Sequence, residues 1–342
     1  MSVPAFSDIA KAANDLLNKD FYHLSAGTIE VKSNTPNNVA FKVTGKSSHD
    51  KATSGAIEGK FTDKPNGNFR DPPKKLKKMR PPALIDCQVA LGRIPGPRIY
   101  NARVQWMVAM SARRPAQLLM HWTRAGLTLT QTWNTANTLE TKVEMADNLA
   151  KGLKAEGIFS FLPASQARGA KFNLHFKQSN FHTRLFFDLL KGPTANFDAI
   201  VGHEGFLAGA SAGFDVQKAK VTGYSAAVGY QAPTYTAAIT ATDNLSVFAA
   251  SYYHKVNSQV EAGSKATWNS KSGNTVGLEV AAKYRLDPVS FVKAKINDRG
   301  VAAVAYNVLL REGVTLGVGA SFDTQKLDQA THKVGTSFTF ES

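Results

Sequence analysis

A single cysteine, Cys87, stands in 342 residues. No internal disulfide can form, which excludes a disulfide-stapled secreted fold and favours an intracellular protein. Nor does any run approach the 18 or more apolar residues of a membrane-crossing helix; helical spanning is excluded, and a membrane barrel is not. The opening stretch, MSVPAFSDIAKAANDLLNKDF, lacks the uninterrupted apolar core of a secretory signal. Its acidic residues argue against a cleaved transit peptide, so it is expected to stay on the mature protein. Catalytic and metal-binding patterns are missing too. The eight histidines are scattered without zinc-ligand spacing, and His203-Glu204 has no second histidine four residues after the first. GVGASF lacks the third glycine of a dinucleotide-binding turn, and glycine in such runs reads as close packing or bending of strands. No enzymatic site, metal or cofactor is expected.

The charge is unevenly placed. The net +15 would ordinarily bring nucleic acid or an anionic membrane surface to mind. Residues 68–126 hold eight Arg and four Lys against Asp71 and Asp86, so +10 lies in that segment and +5 in the rest. The same 59 residues contain seven of the 14 prolines, four of the six methionines, two of the four tryptophans and Cys87. A segment so unlike its flanks has a different origin or job, and a nucleic-acid partner is not expected from the remainder.

What the rest contains is periodicity. Over residues 5–18 Phe6, Ile9, Ala13, Leu16 and Leu17 recur at helical spacing, with Asp8, Lys11, Asp15 and Lys19 largely opposite. This predicts an amphipathic helix capped by Ser7 or Asp8. After His23 the period becomes 2. In KFNLHFK, Phe172, Leu174 and Phe176 share one face while Lys171, Asn173, His175 and Lys177 share the other. VEAGSKATW and VGLEVAAKY repeat the scheme, VTLGVGASFD and KVGTSFTF extend it to the C-terminus, and KPNG, KSGN, NDRG and REG supply turns.

Two architectures bury one face of so many strands. A soluble sandwich or lipocalin-like barrel turns the apolar face inward; a membrane barrel turns it to lipid and keeps the polar face for a watery lumen. Three features favour the second: alternation over more than 200 residues without a covering helical layer, charges on the polar face in mid-strand, and aromatics near strand ends (Trp133, Tyr252, Tyr253, Trp268, Tyr284, Tyr306).

YRLDPVSFVKAKINDRGVAAVAY at 284–306 carries an aromatic, Asp287, Ser290, the Ala294-Lys295-Ile296-Asn297-Asp298 core, then Ala303 and Val304. It resembles the eukaryotic porin pattern. DLLNKDFYH, GHEGFLAG and LREGVTLGVGASFD are likewise similar to the fungal branch of the mitochondrial voltage-dependent anion channels. The resemblance covers 1–67 and 127–342. It implies an all-β fold: a 19-stranded transmembrane β-barrel in the mitochondrial outer membrane, with the N-terminal α-helix inside the pore. The count of nineteen comes from the family, and an odd count requires one parallel closure. The domain organisation that follows is helix and linker at 1–23 and barrel at 24–342, interrupted by the basic, Pro-rich insertion 68–126.

The implied function is a voltage-gated, weakly anion-selective diffusion channel passing small ions and metabolites. Its partners would be outer-membrane lipid, permeating phosphate, ATP and ADP, and further copies of itself as a homo-oligomer. A net positive wall lowers the barrier to anions without a tight site that would slow release. By alternation Lys60, Lys171, Lys177, Lys265, Lys293 and Lys295 face inward, and the helix carries in Lys11, Asp15 and Lys19. The resemblance raises Lys19 and Lys60 above the others. Lys151, Gly152, Leu153 and Lys154 resemble a family tripeptide discussed as a nucleotide contact, against which a structural turn is the simpler reading. Some animal members carry a lipid-facing glutamate where this chain has Lys142, so no role of that carboxylate transfers. A protein-conducting pore of the same membrane and a soluble basic lipid- or nucleic-acid-binding β protein are the alternatives. The insertion reads as a retained intron or a loop: the codons at Gly67-Asn68 permit a GT donor and those at Ala125-Gly126 an AG acceptor, 59 codons in frame.

Overall fold

Each run with apolar residues at every second position is a strand, because extended backbone sends successive side chains to opposite faces. The computed structural model describes residues 3–36, 38–50, 52–62, 127–147, 150–190, 192–273, 276–329 and 331–342. The expectations for 68–126 lie outside the described residues. The first group of strands is β1 (Gly27–Asn34), β2 (Val39–Ser47), β3 (Thr53–Thr62), β4 (Leu127–Asn134), β5 (Leu139–Ala146) and β6 (Leu153–Leu162). Next come β7 (Ala167–Lys177), β8 (Phe181–Asp188), β9 (Thr194–His203), β10 (Phe206–Asp215), β11 (Lys220–Gln231) and β12 (Tyr235–Thr242). The ring ends with β13 (Val247–Lys255), β14 (Val260–Asn269), β15 (Val276–Asp287), β16 (Ser290–Asn297), β17 (Val301–Arg311), β18 (Val314–Asp323) and β19 (Lys333–Glu341).

All 19 form one sheet that closes on itself. Sequential neighbours pair antiparallel, and the closure is parallel, from Gly27↔Thr336 to Lys32↔Glu341. β3 pairs with β4 from Ala56↔Asn134 to Thr62↔Thr128, so the strands flanking the insertion form a hairpin. The face bearing Ile29, Val31, Phe41, Val43, Ile57, Phe61, Leu129 and Trp133 points outward and stays more than a third exposed. Such an apolar girdle excludes the soluble alternative, whose apolar face would be internal, and suits hydrocarbon. Among the described residues no helix is long and apolar enough to cross a membrane.

Two details depart from the sequence reading. The helix over 5–18 is a 3-10 turn at Phe6–Asp8 followed by α1 (Lys11–Asn18), and neither Ser7 nor Asp8 caps it: Ala10 stands at the N-cap with no side-chain bond. The break lets one chain dock twice along a curved wall, with Val3 and Ile9 packing among Ile200, Leu207, Ala227 and Ala238, and Leu16 and Leu17 on Ala281. Tyr253 is not a girdle residue. It packs inside against Leu16 and Leu17, because β13 turns Tyr252 to the lipid side (45% exposed) and its neighbour must face the other way.

Charge on the lipid face is the sharpest test of this phase. Val280, midway along β15, is on the outer face and 43% exposed. Val280→Arg is expected to lower the stability of the barrel by about 2–4 kcal/mol in equilibrium unfolding from lipid vesicles, whereas Thr267→Arg, one strand away on the inner face, is expected to cost far less.

Candidate functional site

The lumen is the site, and its wall has two unlike halves. From β9 to β19 every strand but β16 turns at least one small inward residue to the N-terminal segment: Gly202, Gly209, Gly229, Ala238, Ser251 and Gly263, then Ala281, Ala303, Gly317 and Gly335. A methyl group added at Gly202 would stand 2.8 Å from Val3 Cγ2, at Gly229 3.3 Å from Ile9 Cγ2, and at Gly263 2.9 Å from Leu16 Cδ2. At Gly335 it would overlap the carbonyl oxygens of Tyr22 and Ser25. The segment therefore lies as a half-belt on a shelf cut into the wall. A second 3-10 turn, Tyr22–Leu24, fixes its end: the Asn307 amide donates to the Tyr22 hydroxyl, and the His49 ring N–H, at Nε2, donates to the His23 carbonyl at 2.8 Å. Sequence reasoning missed the shelf. Its signal was the run of Gly, Ala and Ser at alternate inward positions of ten of the last eleven strands.

The opposite wall, β1 to β8, carries charges that largely cancel. Lys142 bridges Glu144 (2.8 Å) and Glu156 (3.4 Å), and Lys154 bridges the same two at 2.9 and 2.7 Å. Lys142 thus points into the lumen and not at lipid. At the border of the two halves Arg184 of β8 grips Asp198 of β9 through Nε and Nη2 at 2.7–3.2 Å.

The nine pore residues all lie on the lumen side, but they divide. Lys11, Asp15, Lys19, Lys60, Lys171 and Lys177 are exposed. Lys11 makes only a 4.0 Å contact with Asp8, and no ion pair reaches the side chains of the other five among the described residues. Lys265 is half-buried and donates to Asn14 Oδ1 at 3.3 Å. Lys293 is 2% exposed; it and Lys295 donate to backbone carbonyls of the N-terminal segment. Folded backbone thus stands where Lys293 and Lys295 would otherwise meet water, and the Asn14 side chain takes one donor of Lys265. In the turn before β6, Gly152 has φ +86 and no room for a methyl beneath the Lys177 carbonyl, while Asp147 Oδ1 accepts its N–H at 2.8 Å. Lys151 and Leu153 flank it, and Lys154 is committed to carboxylates.

An edgeless sheet with an apolar girdle outside and charge inside defines a transmembrane β-barrel channel. A model of the eukaryotic porin family matches residues 2–71 and 111–335. The mitochondrial outer membrane protein porin of Neurospora crassa is 76% identical over 342 residues, covering all of both chains. Non-selective voltage-gated ion channel 1 of Saccharomyces cerevisiae is 35% identical over 345 residues, again covering both chains in full. The human non-selective voltage-gated ion channel VDAC1 is 32% identical over 222 residues, 65% of this chain and 78% of that protein. The chain belongs to the eukaryotic porins. It is a voltage-gated channel of the mitochondrial outer membrane.

His23 reports on the belt. Burial holds its pKa below the ordinary 6.5, helped by Lys295, Lys333 and His49. An undocked, solvated His23 protonates at about 6.5 and the docked ring only at lower pH. The docked state is therefore fully favoured above that range and loses stability as pH falls from 6.5 toward the docked value. Ring-proton NMR in micelles is expected to give a His23 midpoint below 6.5, returning toward 6.5 in Gly335→Val, where the carbonyls of Tyr22 and Ser25 can no longer approach the wall.

Proposed function

We propose that the channel weakly prefers anions and passes chloride, phosphate and adenine nucleotides, including ATP and ADP. The supporting observation is the remainder left when lumen charges are paired. Lys19, Lys60, Lys171 and Lys177 face the lumen exposed and without an ion pair, against Asp15 and Glu140 as strand or helix carboxylates equally exposed and unpaired there among the described residues. Dispersed surface cations bias the field across a wide pore and hold nothing tightly, which suits weak preference with fast release. Among the nine candidates Lys19 and Lys60 carry most of the preference, one from the belt and one from the bare wall. Folded protein in a planar bilayer under a salt gradient is expected to give a reversal potential of anion sign. Lys19→Glu with Lys60→Glu should move it toward cations while the barrel stays intact. Cation preference in the unaltered channel, or no shift in the double variant, would refute this reading.

We further propose that residues 68–126 are not part of the mature channel. The family match skips 72–110, the middle of the segment, and takes in its two ends. Since 222 residues are 78% of the human relative, that relative is about 285 residues long, close to the 283 left here outside the segment. The β3–β4 hairpin closes on either side of it. A basic loop retained in the protein is the competing reading. Sequencing spliced transcripts across Gly67–Leu127, together with the intact mass of the channel purified from mitochondria, is expected to show the shorter chain; consistent inclusion of the 59 codons in mature message would overturn the proposal.

A further inference from the structure

Of the strands under the half-belt, β16 alone presents no small residue to it. Its inward positions are Phe291, Lys293, Lys295 and Asn297. The two lysines meet the C-terminal end of α1, where the last carbonyls of any helix lack partners and concentrate partial negative charge. Lys293 Nζ donates to the Lys19 carbonyl at 2.7 Å and the Asp15 carbonyl at 3.3 Å, and Lys295 Nζ donates to the Leu17 carbonyl at 3.0 Å. Asp20 Oδ2 stands 3.9 Å from Lys293 Nζ. The ring of Phe21, itself 4% exposed, lies against both ammonium groups, 5.1 and 4.7 Å from its centroid. The chain leaves the helix through Asp20 at φ 60, a left-handed exit that brings Phe21 back under the lysines.

We propose that Lys293 and Lys295 form a cationic clamp that holds the N-terminal segment against the lumen wall by its carbonyls. They are positioning residues for the voltage response and not part of the charge that permeating ions read. The chemistry is specific. An ammonium donating to helix C-terminal carbonyls offsets the loss of its own water; it satisfies the Leu17 and Lys19 carbonyls and shares that of Asp15 with the Lys19 N–H. Release of the segment would return both cations to the lumen wall, near Glu261 and Glu279, so the docked state and the masking of two lumen charges are one event. Only the electrical arm of the test rests on the channel reading; the chemical arm needs no conductance.

The test uses the full chain in lipid vesicles, with Cys87→Ser to remove the native thiol and Ala13→Cys as reporter, since Ala13 is 3% exposed on the docked face of α1. Maleimide labelling is expected to be slow in this parent and to rise on the order of tenfold when Lys293→Met and Lys295→Met remove the donors. Lys293→Arg with Lys295→Arg, which keeps charge and N–H, should return it to within about twofold of the parent. In bilayers the voltage range of closure should move in the methionine pair and recover in the arginine pair, with a smaller change in reversal potential than Lys19→Glu with Lys60→Glu produces. Unchanged labelling in the methionine pair overturns the proposal, as does an equal rise in both pairs, which would assign the effect to packing. Should the methionine pair fail to fold by circular dichroism, Lys295→Met alone is decisive: a partial rise supports the clamp and no rise overturns it. Clamp-dependent labelling in folded protein that never conducts would sink the channel reading and leave the clamp standing.

Discussion

Hydrocarbon supplies no hydrogen-bonding partner, and the architecture follows from that. Each backbone N–H or C=O left open in the bilayer costs several kcal/mol, so the sheet must close. With nineteen strands it can close only by setting β1 parallel to β19. A chain of ion pairs runs along the lumen side of this seam: Lys42 to Glu30 at 3.0 Å, Glu30 to Lys32 at 3.1 Å, and Lys32 to Glu341 at 2.6 Å. These groups are substantially exposed, and such pairs contribute about 0–1 kcal/mol each. The backbone ladder, not the ion pairs, holds the seam.

Closure at this strand number leaves a lumen too wide for side chains to fill. The protein lines the β9 to β19 side of it with its own N-terminus. Small residues on β9 to β19 make the space, and the apolar face of α1 with the two 3-10 turns occupies it. The bare half, β1 to β8, faces water with acid and base in alternating contact, so that its charge largely cancels.

The same division explains Lys142. Its neighbours at every second position are Glu140 and Glu144, and β6 sets Glu156 within reach. Placing this lysine against lipid would have moved all of them with it, because a strand cannot turn one residue without turning the whole alternating set.

Period-2 alternation by itself determined which side chains see lipid and which see the lumen. In KFNLHFK and VGLEVAAKY the inside and outside sets are those read from the sequence, since a pleated strand offers no other choice. The amphipathic N-terminus was legible for a similar reason, although the break at Ile9-Ala10 was not, because it answers to the curvature of a distant wall. Tyr253 was misread as a girdle residue by attention to residue type over phase. Only the tertiary structure decided which inward lysines are free. Lys60 and Lys293 look alike in sequence, each a lysine at an inward position of an alternating strand. One faces water, and the other donates to carbonyls 278 and 274 residues away in the chain. A local pattern sets the direction of a side chain, but what meets it there is a long-range contact, set by where the N-terminus comes to rest.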